Sequence, residues 1–224
     1  MKQKKLVIFG ADDFAQLARF YFDADSEYDV CGFVVDPEYH KENTAFGLPL
    51  ISSDELEEKF PKDEYDMYIA IAYTHLNEVR ERKYHEFKAK GYTLATYKSS
   101  RATFWNEGNE VGDNTFIFED NTIQPYVHIG SDTILWSGNH IGHHARIGDH
   151  VFIASHVVLS GRTVVGNNSF IGVNATVNDH IHIAERNVIG SGALITRDTE
   201  PDSIYKAQWT GKYEKKVTES RFFF

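Results

Sequence analysis

An α/β domain followed by a parallel β-helix is the fold class that the sequence predicts. Three observations carry it. Composition changes sharply near residue 100: lysines are frequent up to Lys98, absent from Ser99 through Tyr205, and resume at Lys206. Before that point, apolar β-branched runs alternate with helical patterns; after it, an aliphatic residue recurs every six positions.

The first part reads as strand, helix, strand: Leu6 to Phe9, Phe14 to Phe22, Val30 to Val35, Ser53 to Phe60, Met67 to Ala72 and Leu76 to Lys90. Such alternation is the signature of a parallel sheet covered by helices. Its first turn, GADDFA, sets Gly10, Ala11 and Asp12 between a strand and a helix, where backbone N–H groups can cradle a phosphate. Only one glycine of the dinucleotide fingerprint is present. Asp36 ends the second strand, and it reads either as an acid that holds a ribose or as a plain turn residue in VVDPE.

In the second part Val111, Ile117, Ile123, Ile129, Leu135, Ile141, Ile147, Ile153, Leu159, Val165, Ile171, Val177, Ile183, Ile189 and Ile195 keep a period of six without a slip. With roughly one residue in five aliphatic, chance would give this about once in ten to the tenth. A period of six suits neither an α-helix nor ordinary strand alternation, but it suits a coil whose faces are short strands joined by bends. Three hexads make one coil, so Val111 to Glu200 make five. Glycine often follows the aliphatic residue, and the fifth position is usually small, as at Thr115, Ala145 and Ala175, so that corners can turn. The flat sides of such a prism predict docking on copies of itself as a trimer. Phe116, Phe118, Tyr126, Trp136, Phe152 and Phe170 are the aromatics available for that contact or for packing on the N-terminal domain. The domains expected are thus 1–98, 99–205 and a tail, 206–224.

Composition narrows the function classes. The chain has 224 residues, and 42% hydrophobic content is enough to bury ordinary cores. A net charge of −10 argues against nucleic acid, whose phosphates are met by clustered Lys and Arg. Asp12 and Asp13 interrupt the first apolar run before a signal peptide or membrane span is reached, which predicts a cytoplasmic protein with no membrane insertion. Cys31 is the only cysteine, so neither a disulfide nor a cysteine-based zinc site is expected.

Eight of the eleven histidines lie between His128 and His182, and the segment HIGHHARIGDHVFIASHVVLSG holds five of them. With the opening KLVIFGADDFAQLARFYF, the strand VVD, the stretch YIAIAYTHLNEVR and the hexad run, it resembles the sugar acyltransferases that include sialic-acid O-acetyltransferases and the bacillosamine and perosamine N-acetyltransferases. The resemblance implies a left-handed β-helix, a homotrimer, a nucleotide-linked sugar held between the two domains, and acetyl-CoA or another acyl-CoA as donor in the cleft between neighbouring prisms, with no metal. In that family a His followed by an acid precedes an Ile-Gly pair and serves as general base. Here the pattern falls on His143, with His144 in place of the acid, and Ile147 and Gly148 completing it. By the resemblance Gly161 falls where backbone groups contact the donor's pantetheine; Phe152, Ala154, Val173 and Ser191 are further candidates for the donor, Gly10, Ala11, Asp12 and Asp36 for the nucleotide sugar, and Asn139 and His140, in WSGNH, for lining the sugar pocket.

The chemistry also stands on the residues. Acyl transfer from a thioester needs a base to take a proton from the attacking amine or hydroxyl, and imidazole titrates near neutrality. The oxyanion needs fixed N–H donors, for which the corners at Gly142 and Gly161 are candidates. With Cys31 in the other domain, direct transfer is preferred to an acyl-cysteine. His144, His150, His156 and His180 share the fourth hexad position, which reads more simply as a solvated corner; His144 or His156 is a candidate for a supporting role, and His150 and His180 are expected at the surface. Lys212, Lys215 and Lys216 are candidates for the CoA phosphates, and Phe222, Phe223 and Phe224 for docking on a neighbour.

N-acylation of a nucleotide-linked amino-dideoxysugar in bacterial surface glycan synthesis is the function expected, with sugar O-acetylation as the alternative. A non-catalytic nucleotide-sugar scaffold is the reading that the missing acid at His144 favours. A zinc hydratase of the γ-carbonic anhydrase type shares the coil, but uses two histidines five residues apart, a spacing absent between His128 and His182.

Overall fold

The computed structural model describes residues 4–208, 210 and 211. The N-terminal sheet consists of β1 (Lys4–Phe9), β2 (Tyr28–Val35), β3 (Thr44–Ala45), β4 (Leu48–Ser52) and β5 (Tyr65–Ile69), ordered β3-β4-β2-β1-β5. All pairings are parallel except the β3–β4 hairpin. That hairpin, which the sequence pattern does not announce, turns through Phe46 and Gly47, both with positive φ. Helix α1 (Asp13–Asp25) covers one face of the sheet, and α2 (Leu56–Lys59) and α3 (Glu78–Ala89) the other. Strand alternation makes this division: Leu6 and Ile8 pack with Phe14, Ala18 and Phe22 of α1, whereas Val7 and Phe9 pack with Phe87 of α3.

From Tyr97–Lys98 to Ile204–Tyr205 the chain winds as a three-sided parallel β-helix of two-residue strands. The period of six is kept from Val111 to Ile195, and the aliphatic residues fill the interior. The outer ends depart from it: Phe104 precedes Val111 by seven positions, and Tyr205 follows Ile195 by ten. Each coil hydrogen-bonds to the next through its backbone, as in Gly142 N–H to Leu159 O at 2.8 Å.

A second regularity governs the corners. Asn114, Asp120, Tyr126, Asp132, His144, His150, His156, Arg162, Asn168, Asn174, His180 and Arg186, all at the fourth hexad position, have φ between 51° and 67°. Among residues with side chains, Asn, Asp and His tolerate this left-handed conformation best. Four of the histidines in the coil are therefore accounted for by backbone geometry before any chemistry is asked of them.

The three faces differ in what they point outward. The first carries Tyr97, Phe116, Ile134, Phe152 and Phe170 and is buried against α1 and the N-terminal sheet in one continuous core. Phe14 meets Phe116 at 5.9 Å between ring centroids, Phe118 meets Trp136 at 4.3 Å, and Phe152 stacks on Phe170 at 5.5 Å. Five of the six aromatics considered for a subunit contact thus join the two domains of one chain, because they stand on a single face; Tyr126 alone is exposed. The second face presents Thr122, His140, Val158, Thr176 and Leu194, and the third Glu110, His128, Arg146, Val164 and His182.

The edge between the third and first faces is clamped to α3. Arg80, fully buried, reaches Asp132 at 3.2 Å, and Asn114 donates to Asp132 Oδ1 at 2.6 Å while accepting the Ile69 N–H at 2.8 Å. His150, expected at the surface, is buried in this junction. Among the described residues no helix is long and apolar enough to cross a membrane.

If the corner conformation is what selects those residues, the exposed Asn174 separates backbone from side-chain effects. Asn174→Gly should leave stability within about 0.5 kcal/mol, whereas Asn174→Val should cost about 1–2 kcal/mol, as read by denaturant unfolding.

Candidate functional site

Two places carry chemistry. The first is the corner between the second and third faces, where His143 and His144 form the bend between the strands His140–Ile141 and Arg146–Ile147. The His143 backbone N–H donates to Gln124 Oε1 at 2.8 Å, and its carbonyl accepts from the Arg162 N–H at 2.9 Å. The corner is thereby tied to the coils on either side. A Cβ on Gly161 would stand 2.8 Å from both Cε1 and Nε2 of His143, so glycine at 161 is what lets the imidazole lie over the next coil.

His143 Nδ1 and His144 Nδ1 are 3.1 Å apart, and the Tyr126 ring lies against the His144 ring, tilted by 38° with centroids 4.9 Å apart. Desolvation, and then the charges of Arg162 and His143, lower the His144 pKa. A neutral His144 can accept the Nδ1–H of His143 and so fix the tautomer that leaves a lone pair on His143 Nε2. It orients as a carboxylate would but brings no negative charge. Gly142 is not an oxyanion donor, because its N–H is bound to Leu159; the Gly161 N–H donates to no acceptor among the described residues.

The second place is a cleft of about 870 Å³ at the carboxyl ends of β1, β2 and β5, where parallel α/β sheets bind ligands. Gly10, Ala11, Asp12 and Asp36 line it, together with Tyr39, Thr74, His75, Arg82 and Lys83. Two expectations change here. Asp12 is the N-cap of α1, its carboxylate accepting the Phe14 and Ala15 N–H groups at 3.1 Å each, so those two N–H groups are already taken by the chain itself and Asp12 brings a negative charge to the turn. Asp36 is paired with Lys83 at 2.5 Å. Burial alone would lower the Lys83 pKa, but hydrogen bonds from Lys83 to Asp36 and Glu86 outweigh it and raise the value. Asp36 and Glu86 thus offset the charge of Lys83, and the exposed Arg82 of α3 is a further cation lining the cleft.

The remaining residues divide. Val173 and Ser191 are exposed and one coil apart along the edge between the first and second faces, with His156 one coil before them. His156 lies over Gly138, on a different edge from His143. Phe152 and Ala154 are buried against the N-terminal domain, which removes their side chains from any donor in this chain. Asn139 is buried too: it donates to Trp136 O at 2.6 Å and accepts the Val157 N–H at 2.7 Å, bracing the coil instead of lining a pocket. His140 is half-buried on the second face. His180 is exposed and bonds Asp179 at 2.8 Å. Lys212, Lys215, Lys216 and the final phenylalanines lie outside the described residues. Sequence reasoning passed over Gln124, Tyr126 and Arg162, although a step of about eighteen residues, one full coil, brings each to His143 or His144.

Comparison with known proteins agrees with this architecture. Residues 126–161 and 162–197 match the bacterial transferase hexapeptide (six repeats) family, so the coil is a hexapeptide-repeat β-helix. Over the whole chain the fold is an α/β domain leading into a left-handed parallel β-helix. The acetyltransferase domain of PglB from Neisseria gonorrhoeae superposes with a TM-score of 0.81 at 19% identity, over 92% of this chain and 97% of that one. PerB from Caulobacter crescentus, in complex with CoA and GDP-perosamine, gives 0.80 at 21% identity over 91% and 94%, and WeeI from Acinetobacter baumannii gives 0.74 at 22% over 89% and 94%. Among curated proteins none matches the sequence significantly.

The charge environment of His144 has a direct check. Removing the cation in Arg162→Gln should raise the midpoint of the His144 ring in an NMR titration, since a neighbouring positive charge disfavours the imidazolium. An unchanged midpoint would show that Arg162 does not act on this corner.

Proposed function

We propose that the chain is an acyl-CoA-dependent N-acyltransferase whose acceptor is a nucleotide-linked amino-dideoxysugar, working in the cytoplasm in surface glycan synthesis. The observation that carries the reading is the His143 imidazole, held over Gly161 with His144 on its Nδ1 and a free backbone N–H beside it. The acyl-CoA supplies a thioester carbonyl as electrophile. His143 Nε2 takes the proton as the acceptor amine attacks the carbonyl carbon, His144 holds the tautomer, and the Gly161 N–H meets the oxyanion; collapse of the tetrahedral intermediate breaks the C–S bond, and the CoA thiolate leaves with the proton that His143 returns. Gly161, Val173 and Ser191 line the edges along which the donor runs, and Gly10, Tyr39, His75, Arg82 and Lys83 face the nucleotide-sugar cleft. Support for the amine acceptor comes from fold neighbours such as PerB, bound to CoA and GDP-perosamine.

A homotrimer completes this reading. The second face offers an uncharged row in which Val158 and Leu194 are exposed, a surface suited to burial against a copy of the chain. Its half-buried His140 then stands at the seam between subunits.

Two measurements test the proposal. With acetyl-CoA and a panel of nucleotide-linked aminosugars, the protein should release thiol and yield an acyl-amide product by mass spectrometry; His143→Ala should lower turnover about 10²–10⁴-fold while CoA binding persists, and no release with any acceptor would leave a scaffold. The solution mass should be three times 25.6 kDa, and a monomer would remove the proposed seam.

A further inference from the structure

The clamped edge between α3 and the coil contains a cluster that acyl transfer does not use. Glu81 and His85 stand one turn apart on α3, and His150 projects from the coil corner beside them; one ligand atom from each lies within 4.8 Å of the others. The His150 side chain is only 7% exposed, and its Nδ1 is 2.7 Å from Asp132 Oδ2. With that N–H given to the buried carboxylate, a neutral ring turns the lone pair of Nε2 outward. What it meets is another acceptor: Glu81 Oε1 at 3.8 Å, too far for a hydrogen bond. His85 Nε2 approaches the same oxygen at 4.0 Å.

We propose that Glu81, His85 and His150 bind a divalent transition-metal ion, of which zinc is the best fit, and that the ion ties the N-terminal domain to the β-helix. Two imidazoles and a carboxylate are a common zinc set, and bonds of about 2.0–2.2 Å place ligand atoms about 3.3–3.5 Å apart; the two Glu81 separations, 3.8 and 4.0 Å, must close by about half an ångström, and His85 and His150, whose ligand atoms lie within 4.8 Å, must draw together as well. The outer groups are already in place. Asp132 fixes the tautomer and plane of His150, the arrangement in which metal-bound histidines are usually held. Asn168 donates to Glu81 Oε2 at 2.7 Å, leaving Oε1 for the ion. Arg80 offsets the charge of Asp132 at 3.2 Å, so the ion is needed chiefly by Glu81. Of the three only His85 is exposed, so the approach to the ion falls to its side chain. The edge is a different one from that of His143, so the ion acts on domain docking and not on the proton transfer.

The test uses full-length protein without an affinity histidine tag, stripped with chelator, and zinc itself as the probe in competition with a chromophoric chelator. The tightest site should take one zinc per chain, and saturating zinc should raise Tm. His85→Ala, an exposed change, should keep the zinc-free Tm while weakening the tightest site at least about tenfold and abolishing the zinc-dependent rise. Glu81→Gln should weaken zinc in the same way. The proposal is overturned if less than one zinc binds, if His85→Ala binds it as tightly as the parent, or if Tm does not respond; the last two would mean that zinc sits on other surface histidines.

Discussion

Everything in this protein hangs on the stacking of one aliphatic side chain per hexad inside a three-sided coil. Each coil buries its residues against those above and below, from Ile117 to Ile195, and the backbone ladder fixes their spacing. A slip of one residue would turn the interior residues outward and displace every corner. The corners are where this constraint meets chemistry. Each needs a residue with positive φ, and the chain satisfies that need with Asn, Asp and His at most turns. Histidine is therefore frequent at the edges for a conformational reason, and only a few positions convert it to another use.

The three edges have separate fates. Along the first, small and polar residues such as Ser191 stay exposed. Along the second, Gly161 leaves space for the His143 ring, and His144 sits on its far nitrogen. Along the third, Asp132 and His150 are drawn into the interface with α3, where Arg80 is wholly buried. A buried ion pair of this kind specifies how two parts dock more than it stabilises them. Together with the aromatic face around Phe116, it holds the cleft of the first domain in a fixed relation to the coil.

Much of this was legible in the sequence, because periodicity reports directly on burial. The period of six marks the interior residues from Val111 to Ile195, though not Phe104 and Tyr205 at the two ends, and apolar runs mark β1, β2, β5 and their helices. What the sequence concealed was whatever depends on which face or corner a hexad occupies. Phe152 and Asn139 look like neighbours of the histidine segment, yet one packs on the N-terminal domain and the other braces the interior. The GADDFA turn looks like a phosphate cradle, but the carboxylate of Asp12 takes the Phe14 and Ala15 N–H groups of that helix start. Conversely Gln124, Tyr126 and Arg162 meet the histidine pair from adjacent coils, and Glu81, His85 and His150 meet across a domain junction, separations that no local motif reveals.

If His143 is the base, the acceptor nitrogen lies beside it when both substrates are bound. A crystal structure of the ternary complex with CoA and a nucleotide-linked aminosugar should put that nitrogen within about 2.6–3.2 Å of His143 Nε2. An acceptor bound elsewhere, or an amine facing a different side chain, would contradict it.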